Sequence, residues 1–366
     1  MSRISPLDLH RKKIDEIDEH LLDLLGQRAQ IAVEIGKIKR NNQAVIHDPS
    51  REKRIYTRLN KLNKSPFPSQ AIKSIFREII SASHALQQPV KVAYLGPRAT
   101  FSHLACLEYF GHSVKERSAA SIKSVFNEVE KGVADFGVVP IENSTEGVVN
   151  HTLDLFADSP LKIFAEIFLE VTHHLLSKAD RLDTIEQVYS HPQAFGQCKD
   201  FLEQYLPNVT LTGVSSTAKA AKLSQNNPVS AAIASEVAAE IYRIPILQKR
   251  IEDSTQNITR FLVISKKLNT PTGCDKTSII VSIKDTPGAL YKILRHFAKQ
   301  QINLAKIGSR PSKKKAWEYL FHIDMNGHLE DEPIQLALEG LKSQMVSIKV
   351  LGSYPVAEGF EYEAVS

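Results

Sequence analysis

Apolar residues recur at Ile14, Ile17, Leu21, Leu24, Ile31, Ile35 and Ile38, the a and d positions of a heptad. The spacing predicts one long helix over residues 7–40, about 50 Å in length. Two shorter helical patterns follow, over residues 49–63 and 69–87, set off by Asp48-Pro49 and Ser65-Pro66-Phe67-Pro68. Helices of such unequal length do not enclose a core alone, so an intertwined dimer is expected. After Gln88-Pro89 the pattern changes. Short apolar runs at residues 90–95, 136–140, 163–168, 188–190, 231–234 and 261–264 predict buried strands. Helical patterns at 121–130 and 193–205 fall between them, which is α/β alternation. Residues 268–275, with Pro271 and Gly273, read as a linker. Beyond it, strands at 277–284, 302–307, 318–324 and 346–354 and helices at 288–300 and 333–341 give the order βαββαβ, a ferredoxin-like pattern. Three domains are expected, over residues 1–89, 90–267 and 276–355.

One position breaks the heptad. The a series runs Ile14, Leu21, Arg28, Ile35. A guanidinium in an apolar seam is costly without a partner, so something anionic is expected to meet it. Lys39 lies about 20° away around the helix, on the same face. Arg11 lies about 100° off that line and is expected in a different pocket or one made with another chain. On the second helix Asp48, Arg51 and Glu52 share a face, and on the third Ser83 and Gln87 do.

Composition narrows the classes. With 366 residues, 42% apolar and 24% charged, the chain is long enough for two or three cores and too hydrophobic for general disorder. No apolar run approaches the roughly 18 residues of a membrane span. Residues 1–11 lack an apolar signal region, and three scattered cysteines, Cys106, Cys198 and Cys274, suit a reducing compartment, so a cytoplasmic protein is expected. No GxGxxG or GxxxxGK[ST] occurs, and no cofactor and no metal are expected. The net charge of +5 is concentrated at the start: residues 1–88 hold 16 Lys and Arg against 10 Asp and Glu. That excess suits nucleic acid or a small multivalent anion.

The helical positions resemble the all-helical chorismate mutase family. The motif runs Leu7-Asp8-Leu9-His10-Arg11-Lys12-Lys13-Ile14-Asp15, then Leu24-Leu25 through Arg28, Glu34-Ile35-Gly36 and Lys39, Asp48-Pro49-Ser50-Arg51-Glu52, and Ser83 through Gln87. The resemblance implies that Arg28, and Arg11 from a second protomer, clamp the two carboxylates of chorismate. It implies that Lys39 and Gln87 donate to the breaking ether oxygen. Glu52 and Asp48 would bind the ring hydroxyl, with Arg51 and Ser83 completing the lining. A dianion trap then accounts for the basic excess, and nucleic acid is not expected as a partner.

The middle region carries polar clusters at strand and helix ends: Gly96 to His103, Glu142-Asn143-Ser144, Ser190-His191-Pro192-Gln193, Ser215-Ser216-Thr217 and Asn257-Ile258-Thr259-Arg260-Phe261. Each alone reads as turn or cap chemistry. Together they fit a small anion in a cleft between two lobes. Ser216 and Thr217 suit a helix cap or a carboxylate site equally. The set resembles prephenate dehydratase, which implies two α/β lobes of periplasmic-binding-protein type with two chain crossings. It makes Thr259 the catalytic donor, with Glu142, Asn143, Ser144, Ser216, Thr217 and Arg260 as substrate-binding candidates. Arg260 suits a substrate carboxylate or an internal acid. His103 and His191 have no carboxylate partner close in sequence and read as structural.

Asp285-Thr286-Pro287-Gly288-Ala289-Leu290 and Ser309-Arg310-Pro311 resemble the ACT regulatory domain, with Gly308 where phenylalanine-sensitive dehydratases carry glutamate. The resemblance implies L-phenylalanine as effector, bound by Gly288, Ala289, Leu290, Ser309, Arg310 and Pro311. Trp317 reads as packing. Removal of the chain beyond Lys267 is expected to leave an active, insensitive enzyme. The three resemblances, in this order, point to the bifunctional chorismate mutase–prephenate dehydratase family, feedback-inhibited and homo-oligomeric. The missing GxGxxG argues against the sister fusion with an NAD-dependent dehydrogenase. A basic DNA-binding regulator with an amino-acid sensor is the other class considered; it leaves Arg28 unexplained.

Overall fold

The computed structural model describes residues 5–41, 47–254, 256–284, 286–311, 318–342 and 347–357. Asp285, Trp317 and Val346 lie outside them. The chain forms two compact units, Met1–Val90 with Phe110–Lys115, and Lys91–Tyr109 with Glu116–Ser366.

The first unit has helices α1 (Pro6–Asn41), α2 (Pro49–Leu62) and α3 (Ser69–Gln87). Local chemistry sets their ends. Asp48 caps α2 and Pro49 opens it, where a missing N–H costs nothing. Pro68 precedes α3, and Pro89 follows the residue that ends it. α1 packs against α3 through a narrow face on which only Ala32 and Gly36 are buried. The heptad stripe points elsewhere: Ile14, Ile17, Leu21, Leu24, Ile31, Ile35 and Ile38 are each 41–60% exposed. Two things leave it open: α3 is shorter than α1, and Ile31, Ile35 and Ile38 lie off the face that meets α3. α1 has 36 residues and α3 has 19, so α3 reaches along about half of α1.

The second unit contains two mixed sheets and a third, antiparallel one. The first sheet comprises β1 (Lys91–Leu95), β2 (Lys115–Ala119), β3 (Phe136–Asn143), the short β4 (Gly147–Val148) and β5 (Lys162–Glu170). The second comprises β6 (His174–Ser177), β7 (Gln187–Ser190), β8 (Thr210–Gly213), β9 (Ser230–Ala234) and β10 (Ile246–Gln248). β11 (Ile258–Ser265) then returns to the first sheet, between β3 and β5. The chain therefore crosses between the lobes twice, after β5 and before β11. β2, β6, β8 and β10, three to five residues long, lie outside the expected strands; β2 (Lys-Glu-Arg-Ser-Ala) and β8 (Thr-Leu-Thr-Gly) carry no apolar run. The helical pattern at 193–205 is two helices, Pro192–Gln197 and Lys199–Tyr205, broken at Cys198.

The third sheet is β12 (Asp275–Lys284), β13 (Leu304–Pro311), β14 (Glu318–Asn326) and β15 (Ser347–Pro355), in the order β13-β14-β12-β15. Helices Ala289–Lys299 and Glu332–Lys342 complete the βαββαβ fold. Under its helices this domain has a core of its own, with Ile279, Val281, Ile293, Phe297, Ile323 and Leu341 buried together, while the other face of its sheet is shared. Ile280, Leu351 and Tyr354 join Val139, Ile141, Phe156, Ile163 and Leu262 in one buried cluster. Gly352 allows the approach: a Cβ there would lie 2.4 Å from the Ile163 carbonyl oxygen.

Candidate active sites

The face of α1 that meets α3 carries Arg28, Gly36 and Lys39. Gly36 is the point of closest approach, where a Cβ would stand 2.9 Å from the Gln87 Cα. The glycine lets Gln87 sit against α1, a role its place in the sequence pattern did not reveal. The Arg28 guanidinium donates to the Ser83 hydroxyl and, at 3.3 Å, to the Ile79 carbonyl. Among the described residues no carboxylate pairs with it, and burial lowers its pKa. The expected anion is thus not supplied within the described chain. Lys39 is half-buried; burial lowers its pKa while Asp48 and Glu52 act to raise it. Gln87 is buried, and its side-chain oxygen has no hydrogen-bond partner in the described structure.

Glu52 enters this pocket from α2. Its Oε1 lies 3.0 Å from His47 Nδ1 and 3.9 Å from His84 Nε2. Burial pushes its pKa up, but His47, then His84 and Lys39, pull it down further, so the carboxyl stays ionised. His84 is held neutral, its pKa lowered by burial to about 4. The sequence reading missed both histidines, because each is a lone residue on a helix or at a loop end. Two expected residues differ from the rest. Asp48 Oδ1 accepts the Arg51 N–H at 3.0 Å and so serves as a cap, while the Arg51 side chain is exposed. Arg11 is exposed and 3.5 Å from Asp8.

In the second unit, strand alternation separates the candidates. Thr259 pairs with Asn143 across β11 and β3, and Arg260 pairs with Glu142. Successive side chains on a strand point to opposite faces. Thr259 and Asn143 therefore share one face, and Arg260 and Glu142 the other. On the first face Asn143 Nδ2 donates to Thr259 Oγ1 at 2.8 Å and to Asn257 Oδ1 at 2.7 Å. Asn143 Oδ1 accepts from Thr145 N, Thr145 Oγ1 and Glu146 N, which fixes the amide's orientation. The Thr259 oxygen is thus held as an acceptor, leaving its O–H to donate outward. Ser144 clips the two strand ends, its hydroxyl donating to Gln256 O and accepting from Ile258 N. Ser216 accepts from Lys219 N and caps the helix Thr217–Ser224. It lies on the other lobe with Thr217, and no hydrogen bond joins either residue to the Thr259 group among the described residues.

On the second face Arg260 meets internal acids, in line with the second of its two sequence readings. Its Nε lies 2.9 Å from Glu166 Oε2, Nη1 2.8 Å from Asp324 Oδ2 and Nη2 3.0 Å from Tyr354 Oη. Lys276 Nζ is 2.9 Å from Glu166 Oε1. These partners occupy its fork. Glu142 is likewise paired with Lys306 of β13. His103 does have a carboxylate: its Nε2 is 2.9 Å from Glu116 Oε2, while Nδ1 accepts from Ala99 N. His191 caps the helix Pro192–Gln197.

In the regulatory domain Gly288 caps its helix at φ +75°, with open space where a Cβ would be. Ala289 is half-buried and Leu290 and Ser309 are exposed. Arg310 Nη1 donates to Asn150 O at 2.6 Å and lies 3.1 Å from Asp154. Lys306, Gly308 and Arg310 alternate onto the dehydratase-like side of β13. There Lys306, Gly308, His322 and Asp324 line a cavity of about 50 Å³ with Ile141, Phe156 and Arg260. Burial holds His322 at a pKa of about 4. The unfolded chain takes up a proton near pH 6.5 that the folded chain refuses. Stability should therefore fall by up to about 3 kcal/mol as pH drops from about 6.5 to 4. Denaturant midpoints of His322→Gln should show a shallower acid slope than the parent.

The match to known families covers the same ground. Residues 10–88 match the chorismate mutase type II model, 92–269 the prephenate dehydratase model and 277–342 the ACT domain model. A solved prephenate dehydratase from Arthrobacter aurescens, in complex with L-Phe, is 34% identical with a TM-score of 0.68, covering 73% of this chain and 90% of that one. GqqA, described as a novel type of quorum-quenching acylase, is 27% identical with a TM-score of 0.67, covering 73% and 98%. A bifunctional chorismate mutase/prephenate dehydratase from Aquifex aeolicus (strain VF5) is 51% identical over 351 residues, 95% of this chain and 97% of its own length. With all three domains present in order and nearly the full length aligned, the chain belongs to the bifunctional chorismate mutase/prephenate dehydratase family.

Proposed function

We propose that this chain rearranges chorismate to prephenate in its helical unit and converts prephenate to phenylpyruvate in its two-lobed region, under inhibition by L-phenylalanine. The carrying observation is Arg28, a half-buried cation with no carboxylate partner among the described residues, beside Ser83 and on one helix face with Lys39. A pericyclic rearrangement needs no nucleophile and no proton transfer. It needs the substrate held in its reactive conformer and donors where ether-oxygen charge develops. Arg28 supplies the carboxylate clamp, Lys39 and Gln87 the donors, and Glu52 an acceptor for the ring hydroxyl. Arg11 completes the pocket from a second protomer. The exposed heptad stripe of α1 supports that dimer, since α3 covers only about half of the helix.

In the dehydratase step the ring C–COO⁻ bond breaks, its electron pair enters the ring, and hydroxide leaves as water after receiving a proton. Carbon dioxide is the other product, and aromatisation drives the reaction. Thr259, fixed as an acceptor by Asn143, donates its hydroxyl hydrogen to the departing oxygen. An acylase would need a base on a nucleophilic hydroxyl. Here Thr259 accepts from an amide, which favours the donor role. Thr259→Val should lower kcat for prephenate at least about 100-fold with little change in KM. A change confined to KM would move the acid elsewhere.

Neither reaction as written calls on a cofactor or metal, and a cytoplasmic setting suits the free thiols Cys106, Cys198 and Cys274. No helix among the described residues is long and apolar enough to cross a membrane. For the effector, Gly288 is the favoured carboxylate contact, with Ala289, Leu290, Ser309 and Pro311 beside it. Gly288→Val should weaken phenylalanine binding by forcing a β-branched residue to φ +75°, measured by calorimetry on the full chain. The test of the whole reading is incubation of the purified chain with chorismate alone. Phenylpyruvate is the expected product; prephenate accumulating unchanged would remove the dehydratase half, and unchanged chorismate the mutase half.

A further inference from the structure

We infer that His47, Glu52 and His84 form a binding site for a zinc-class divalent ion, and that its occupation takes Glu52 away from the mutase pocket. The inhibitory part of this inference rests on the mutase reading above; the binding part does not. One ligand atom from each of the three residues lies within 4.8 Å of the other two. Glu52 Oε1 is the hub, 3.0 Å from His47 Nδ1 and 3.9 Å from His84 Nε2. That oxygen makes no aligned hydrogen bond despite the short approach. Two imidazoles converging on one carboxylate oxygen are arranged as ligands about a common centre.

Atoms sharing one tetrahedral zinc at about 2.0–2.2 Å lie about 3.3 Å apart. The 3.0 and 3.9 Å separations bracket that value. The three residues come from two rigid elements and the cap between them: Glu52 from α2, His84 from α3, and His47 beside the Asp48 cap. His47 is buried, while Glu52 and His84 are each 17% exposed, which leaves a path from solvent. Two nitrogens and one carboxylate select zinc, cobalt or nickel over magnesium or calcium. Three protein ligands leave a fourth position open. Lys39 and Arg28 oppose a dication electrostatically, whereas Asp48 and Glu52 favour it. The site is therefore expected to fill reversibly rather than to hold a structural ion.

The proposal predicts that the full chain, first stripped with chelator, binds one zinc equivalent per chain in calorimetry. Cobalt in its place should give the visible absorption of a tetrahedral site. His47→Gln and His84→Gln should each weaken zinc binding at least about 10-fold, and the double variant should abolish this event. Circular dichroism checks that the variants fold, and Glu52→Gln, which keeps both imidazoles, provides an independent third reading. Zinc should also suppress chorismate turnover, reversed by chelator, while turnover of supplied prephenate continues. Zinc binding equal in parent and double variant, or undiminished chorismate turnover at saturating zinc, would overturn the proposal. A metal-free chain with no chorismate turnover would instead refute the mutase reading and leave the calorimetric result standing.

Discussion

Arg28→Ala should lower chorismate turnover by about 10²–10³-fold or more while leaving turnover of supplied prephenate intact. Arg28 has two protein acceptors and no carboxylate among the described residues, so its charge is available to a ligand. Arg11→Ala should have the same effect for a different geometric reason. Arg11 is exposed on the same helix, about 100° around its axis from Arg28, and is proposed to serve the pocket of a second protomer. Mixing the two variant proteins should then restore activity. In a mixed dimer one pocket carries both lesions and the other carries none. After random exchange, about one quarter of the parent activity is expected. Verified exchange without recovery would put both arginines in one chain's pocket.

The second large effect concerns Arg260. Its side chain is 7% exposed and bridges Glu166, which is fully buried, and Asp324. Breaking a buried ionic group by removing one partner costs about 3–5 kcal/mol, because the remaining charges have no water to turn to. Arg260→Ala should lower the unfolding free energy of the second unit by that amount, read by denaturant titration. Asp324→Asn should cost less, since the amide oxygen still accepts from the guanidinium. Dehydratase turnover should fall in both, because Arg260 adjoins Thr259 on β11. The same network revises what truncation does. A chain ending at Lys267 loses Lys276, Asp324 and Tyr354 together, along with their share of the common core. It should fold poorly rather than persist as an unregulated dehydratase, and a stable, fully active truncation would contradict this account of the network.

Local chemistry made much of this protein legible. The three helices, the two-lobed alternation and the βαββαβ order follow from hydrophobic period, proline breaks and caps. Arg28 declared itself by violating a heptad, and Thr259 by the motif around it. Residues whose meaning depends on a distant partner were not legible. His47 and His84 converge only when α2 and α3 pack, 37 residues apart in sequence. Glu166 and Asp324 meet Arg260 across separations of 94 and 64 residues.

The sequence by itself determined the elements, their order and the residue types available for chemistry, because period and capping act within a turn or two of chain. Only the tertiary structure decided which way those residues face. Strand alternation sends Thr259 and Asn143 to one side of the sheet and Arg260 and Glu142 to the other, but the sequence does not say which side holds the regulatory domain. The α1 heptad stripe likewise stays exposed while Arg28, Gly36 and Lys39 meet α3. Which stripe of a helix is covered depends on the length and position of its neighbour, and no local spacing records that.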